Sequence, residues 1–171
     1  MKIAILHDYF NSLGGGERLV LKLAKFFDAD IYTYFLNKAK TYKEVENSRI
    51  ETAKLPLKYY GLRQFLGIKH FEKLNLQSDY DLFIMSGYLS IFASELNHPN
   101  IWISGSALKH LFVPEFFRNE PLLKRIMINL SRNWLKNKNE QIIKNSIDKI
   151  LSYSAYQQKE VKRIFNVKSE V

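Results

Sequence analysis

No cysteine occurs in the 171 residues, which excludes a disulfide framework and thiolate metal sites and agrees with a reducing compartment. The four histidines, His7, His70, His98 and His110, do not fall at metal-ligand spacing, so no metal is expected. Long apolar runs are missing as well. KIAILH and DLFIMSG have the length of a buried strand, far short of the roughly 20 residues that span a bilayer. The amino terminus has one lysine before a strand-like stretch, without the longer apolar segment and small-residue cleavage site of a signal peptide. A cytoplasmic protein is expected. Only four prolines are present, no proline-rich or serine-rich stretch forms a linker, and no internal repeat is visible. A single domain over residues 1–171 is therefore expected.

Acidic residues are the scarce charge: 17 against 26 lysines and arginines, for a net charge of +9. The excess is concentrated in residues 38–73 and 109–168. The first of these stretches holds nine basic and four acidic residues. Such an excess fits a solvated lysine-rich surface, or a partner among anionic lipid headgroups, sugar phosphates and nucleic acid.

What is present follows a regular order. Lys2–His7 is an apolar, isoleucine-rich run, followed by DYFNSLGGG and then by Glu17–Phe27, where Leu19, Val20, Leu23, Ala24 and Phe27 recur at helical spacing. Asp30–Phe35 is β-branched and aromatic, Arg49–Leu55 reads as a third strand, and Asp81–Gly87 as a buried one. A short helix over Ser90–Leu96 leads to the strand IWISGS. A helix opening at Asn119–Pro121 runs toward Ser146, with an apolar stripe from Leu122 to Trp134. Lys149–Ser154 is the last strand, and Ser154 with Gln157 forms a capping box for a helix ending near Phe165. The alternation predicts an α/β, Rossmann-like, doubly wound and mainly parallel sheet of about six strands flanked by helices. Such sheets bind ligands at the carboxyl ends of their strands.

The three glycines of SLGGGERL stand where such a ligand would sit. Either they close a tight turn, or they let the backbone approach an anionic or hydroxyl-rich ligand at a helix start, whose N–H groups and dipole favour it. Two familiar phosphate loops do not fit. A dinucleotide fingerprint would put its third glycine at Leu19, and TYFLN at the end of the second strand lacks a ribose-binding acid. A P-loop needs Gly-Lys followed by Ser or Thr, where this chain has Gly-Glu-Arg. A phosphoacceptor site would need more acids than Asp8, since Met85 and Ser86 close the later strand.

HDYFNSLGGGERLVLKLAKFFDADIYTYF resembles the opening of the family 4 retaining glycosyltransferases of GT-B architecture. SDYDLFIMSGYLSIFA and DKILSYSAYQQKEVKRIFNVKSEV resemble later segments of the same family, in the same order. The similarity spans essentially the whole chain and is close to enzymes that build cell-surface polysaccharides, often mannosyltransferases. It implies the acceptor-side lobe of a two-lobed enzyme, with a nucleotide sugar as donor substrate, no further cofactor, and a glycan or lipid-linked acceptor. The family's donor-binding motifs belong to a second lobe and have no counterpart in these residues, so the resemblance implies a C-terminal donor lobe or a separate subunit.

Gly14, Gly15 and Gly16, with Glu17, match the family loop that lies against the donor phosphate or sugar. His7 and Asp8 match its His-Asp pair and are acceptor-side candidates. The family's His-Thr-Pro-x-Arg-Tyr motif aligns with Gly105, Ser106, Ala107, Leu108, Lys109 and His110. The motif's histidine falls at Gly105, Lys109 keeps the arginine's charge, and His110 offers an imidazole nearby. Tyr153 stands where the family has asparagine. The retaining reaction is discussed for the family as a front-face transfer assisted by the leaving diphosphate, so no carboxylate pair is required and electrostatic stabilisation of the leaving group dominates. An alternative is a noncatalytic domain that binds a glycan or a partner after losing the cleft histidine.

The segment 54–73 interleaves Lys54, Lys58, Arg63 and Lys69 with Tyr59, Tyr60 and Phe65. It would lie on an anionic membrane surface, each nearby cation contributing ~1 kcal/mol, or pack its apolar residues on the sheet while the lysines snorkel into water. Nucleic acid is disfavoured, because no recognition motif accompanies the charge.

Overall fold

The computed structural model describes residues 1–53, 60–105 and 122–171, the side chains of 60–64 and 122–132 apart. Its centre is β1, Ile3–Phe10, buried along almost its whole length. Around it lie β2 (Asp30–Leu36), β3 (Ile50–Thr52), β4 (Leu82–Ser86), β5 (Asn100–Ser104) and β6 (Lys149–Ser152). They form one six-stranded sheet in the order β3-β2-β1-β4-β5-β6, and every pairing is parallel. The expected Rossmann-like doubly wound α/β architecture is present.

Alternation along β1 sends Ile3 and Ile5 to one face and Ala4 and Leu6 to the other. Ile3 and Ile5 join Ile84 and Ile103 under Val20, Leu21 and Ala24 of helix α1, Gly15–Phe27. Ala4 and Leu6 join Phe83, Met85 and Trp102 under the remaining helices. These are α2 (Tyr60–Lys73), α3 (Leu122–Asn145) and α4 (Ala155–Phe165), with a 3₁₀ segment over Ser90–Leu96. Ile68 and Phe71 of α2, Ile142 and Ile143 of α3, and Val161 and Phe165 of α4 are all buried there. Burying a side chain of this size stabilises by roughly 1.5–3 kcal/mol, so helices on both faces are what keeps a sheet of continuous apolar strands out of water.

Several boundaries differ from the sequence expectation. β1 continues past His7 to Phe10, because Phe10 is fully buried and pairs with Leu36. α1 opens at Gly15, two residues before Glu17, so two of the three glycines belong to its first turn. Ser90–Leu96 keeps its expected bounds but winds as a 3₁₀ helix. β3 ends at Thr52; residues 54 and 55, which were expected to extend it, lie outside the described residues, as do Asn119–Pro121.

Candidate functional site

The sheet order reverses between β1 and β4. The chain leaves β1 toward β2 on one side and leaves β4 toward β5 on the other, which opens a crevice at the carboxyl ends of these two strands. His7 and Ser86 are register partners at that edge. His7 Nδ1 donates to the Ser86 carbonyl at 2.7 Å, which fixes the ring, while the buried Nε2 has no hydrogen-bond partner. A Cβ on Gly16 would stand 3.9 Å from His7 Cε1, so the imidazole lies directly beneath the first turn of α1.

Asp8 faces away from that turn. Its carboxylate accepts the backbone N–H groups of Tyr88 (2.8 Å), Leu89 (3.1 Å) and Ser90 (2.8 Å), closing the amino end of the 3₁₀ segment from a neighbouring strand. Burial pushes its carboxyl above the usual range, against the opposing pull of His7 and of these amides. Gly87, between β4 and that segment, has φ of 140°. A Cβ there would meet Asp8 Oδ1 at 2.2 Å, so both backbone conformation and space demand glycine. The indole N–H of Trp102 donates to the Gly87 carbonyl at 2.9 Å, which locks the turn further.

The glycine loop is built differently. Gly14 is the N-cap of α1 with φ −83° and ψ 161°, an extended conformation open to any residue, and no side chain caps the helix. The first intrahelical bond runs from Arg18 N–H to the Gly14 carbonyl at 3.2 Å, which leaves the amides of Gly15, Gly16 and Glu17 without intrahelical partners. A Cβ on Gly15 would meet nothing within 4 Å. Neither torsion nor crowding therefore explains glycine at 15 or 16. Bare backbone at a helix start with unclaimed N–H donors is an arrangement suited to an anion or a hydroxyl-rich ligand. The Glu17 carboxylate folds back over Gly14 and accepts the Ser12 hydroxyl. From the other side Tyr42 donates to the carbonyls of Leu13 (3.0 Å) and Gly14 (3.3 Å), which anchors the loop.

Gly105, at the end of β5, is overlain by Tyr153 from the turn after β6. A Cβ on Gly105 would stand 2.7 Å from Tyr153 Cε2 and 3.5 Å from its hydroxyl oxygen. Burial raises the phenol pKa, a hydrogen bond to the Ser86 side chain opposes this, and the charge of Glu17 adds to the rise. Tyr153 thus reaches from the turn after β6 over the end of the neighbouring β5. Gln157 Nε2 donates to the Gly105 carbonyl at 3.1 Å. Sequence reasoning noted Tyr153 only as a departure from asparagine and did not place it in the crevice. A large aromatic just past a strand end, with a glycine just past the neighbouring strand, was the available signal.

Of the other candidates, Ser106, Lys109 and His110 lie outside the described residues, as do Lys54, Lys58, Tyr59 and the side chains of Tyr60 and Arg63. Phe65 is half-exposed on α2, with Lys69 Nζ 6.0 Å from its ring centre and paired with Glu72 at 2.6 Å. Among the described residues no group of side chains could hold a metal ion, and no helix is long and apolar enough to cross a membrane. A groove of about 520 Å³ lies between α1 and residues 42–49, beside Arg18, Lys22, Tyr42 and Arg49. It contains none of the three glycines, Gly105 or Tyr153.

No protein-family model matches the sequence, and no curated protein matches it. Solved structures do match. One is the apo form of the lipopolysaccharide outer core galactosyltransferase WaaB, at a TM-score of 0.56 and 14% identity. The match covers 95% of this chain and 42% of that one, so the chain spans about two fifths of its length. At that identity the likeness is one of fold: the chain has the Rossmann-like α/β fold of a glycosyltransferase lobe.

Proposed function

We propose that the chain is the acceptor-side lobe of a retaining glycosyltransferase of family 4 type, moving a sugar from a nucleotide sugar to a cell-envelope glycan or lipid-linked acceptor. A C-terminal or separate donor lobe completes the cleft. The observation that carries the reading is the first turn of α1: an uncapped helix start at the switch point of the sheet, with nothing crowding a side-chain position at Gly15 and only His7 Cε1, at 3.9 Å, near one at Gly16. Positioned N–H dipoles of this kind stabilise a leaving diphosphate without a protein carboxylate pair. His7 Nε2 beneath Gly16 offers an acceptor for a hydroxyl. Lys109, His110 and Ser106 supply charge and polar groups on the acceptor side.

The test incubates the full-length protein, with its donor lobe or subunit, with a panel of nucleotide sugars and a membrane-lipid extract. Release of nucleoside diphosphate together with labelled sugar in the lipid or glycan fraction is the expected result. Neither release nor nucleotide-sugar binding would overturn the proposal.

A second reading, a noncatalytic glycan- or partner-binding domain, is favoured by one observation. The position that the family gives to histidine is Gly105, and Tyr153 fills the space above it. Binding of a glycan without transfer by the completed enzyme would select this reading. Either form is proposed to act in the cytoplasm, peripherally on the inner face of the membrane, where Phe65 and Lys69 on α2 would meet anionic lipid. Flotation with anionic but not neutral vesicles, abolished by salt, is the expected outcome.

A further inference from the structure

Three polar residues and one aromatic ring lie at the carboxyl edge of the sheet without forming a closed network. Tyr153, from the turn after β6, lies over Gly105 at the end of β5. Glu17 stands in the first turn of α1 at the same edge, and its carboxylate is engaged by Ser12. His7 is 7% exposed, and its Nε2 is left over after Nδ1 has bonded to Ser86. Tyr153 itself remains 45% exposed, although one edge of its ring is seated on the backbone at Gly105.

We propose that Tyr153 is the sugar-stacking wall of this crevice, and that Gly105 is side-chain-free because the ring needs that space as its seat. The ligand class is a pyranose, whose apolar C–H face covers the exposed ring while its hydroxyl groups turn toward Glu17 and His7 Nε2. The assignment rests on the glycosyltransferase reading for the class of ligand. The seat itself follows from geometry alone. A methyl group at position 105 would stand 2.7 Å from Tyr153 Cε2, too close for any real contact, so the ring must leave its place when the glycine is replaced. On this account, the histidine expected at 105 has been exchanged for an aromatic wall supplied from the neighbouring strand.

The experiment uses the full chain with tyrosine ring positions isotope-labelled, Tyr153 being identified by the signal that Y153F removes. The probes are methyl α-glucoside, methyl α-galactoside and methyl α-mannoside, with sorbitol as an acyclic polyol of similar hydroxyl content. At least one glycoside is expected to shift the Tyr153 signal saturably, whereas sorbitol leaves it in place. Calorimetric titration, which does not depend on the Tyr153 signal, is expected to show Y153A weakening that glycoside about tenfold and Y153F, which keeps the ring, weakening it by no more than about threefold. G105A displaces the ring and weakens binding as much as Y153A does, yet adds nothing further when combined with Y153A, since the two act on one seat. Thermal melts of each variant show that it is folded.

A Tyr153 signal unmoved by every glycoside, equal affinity in Y153A and wild type, or additive losses from G105A and Y153A would each overturn the assignment. These failures are distinct from failure of the glycosyltransferase reading. A completed enzyme that transfers sugar unaffected by Y153A removes only the stacking wall. A protein that binds glycosides at Tyr153 but transfers none removes only the catalytic role.

Discussion

The turns β1–α1 and β6–α4 leave the same edge of the same sheet, and they treat the start of a helix in opposite ways. At β6–α4, Ser154 is the N-cap and its hydroxyl accepts the Gln157 N–H at 3.2 Å. At β1–α1, Gly14 is the N-cap, no side chain caps the helix, and the first two helical residues are glycines. A missing cap relative to serine costs only a few tenths of a kcal/mol when glycine replaces it, but each glycine inside a helix costs about 1 kcal/mol relative to alanine. The fold therefore gives up roughly 1–2 kcal/mol at one turn that it could have kept, and secures the other in the ordinary way. A third turn sharpens the contrast. Between β4 and the 3₁₀ segment, the amides are satisfied by Asp8 from the adjacent strand. Among the described turns at this edge, only β1–α1 holds its donors open, and it lies at the switch point.

The largest expected effect comes from opening a closed turn. Asp8→Ala removes the acceptor of three backbone N–H groups, two of them buried and the third partly so, and a loss of ~3 kcal/mol or more is expected from stranding them. Urea denaturation of the full chain measures this. G87A should fall in the same range, because its φ of 140° and its contact with Asp8 both oppose a methyl group. If D8A were within ~0.5 kcal/mol of wild type, Asp8 would not be holding this turn, and its placement as a fold residue would fail.

A smaller effect is expected at the capped helix. S154A should cost ~1 kcal/mol, again read by urea denaturation, and should leave binding at the glycine loop unchanged. An effect on anion or nucleotide-sugar binding as large as that of a glycine-loop variant would erase the distinction between the two turns.

The same contrast marks what was legible in the sequence. The strands were visible because buried parallel strands are continuous apolar runs, as in IAIL of β1 and LFIM of β4. The α1 face was visible in part through the recurrence of Leu19, Val20, Leu23, Ala24 and Phe27: Val20 and Ala24 are buried, Leu19 and Leu23 partly so, whereas Phe27 is exposed and Leu21, outside that pattern, is buried. The Ser154 cap was legible as a local S-x-x-Q pattern. Only half of the box formed, since the Gln157 side chain goes to the Gly105 carbonyl, 52 residues away. Asp8 is the clearest case of hidden information. Its local sequence places it at a strand end, where ligands bind, whereas its partners are 80 to 82 residues away. The seating of Tyr153 on Gly105 is hidden for the same reason: the contact joins two strand ends that are neighbours only in the folded sheet. Local pattern reports the elements and their caps, and long-range pairing decides which polar groups remain for a ligand.

The smallest expected effect has the most to say about the open turn. G15A and G16A are predicted to stabilise the fold, each by about 0.5–1 kcal/mol, because alanine loses less backbone freedom than glycine in a helix. The space allows it: nothing lies within 4 Å of a Cβ at Gly15, and the nearest atom to one at Gly16 is His7 Cε1 at 3.9 Å. If the glycines existed to form the turn, the substitutions would destabilise, and binding would fall only as far as folding did. If they exist to admit a ligand to the amides, the variants should melt at or above the wild-type temperature while binding nucleotide sugar several-fold more weakly, since the new methyl groups occupy the ligand's side of the helix start. Opposite signs for stability and binding in the same pair of variants are the outcome that a purely structural role cannot produce. Calorimetry of the full-length protein with and without nucleotide sugar reads both quantities on one sample.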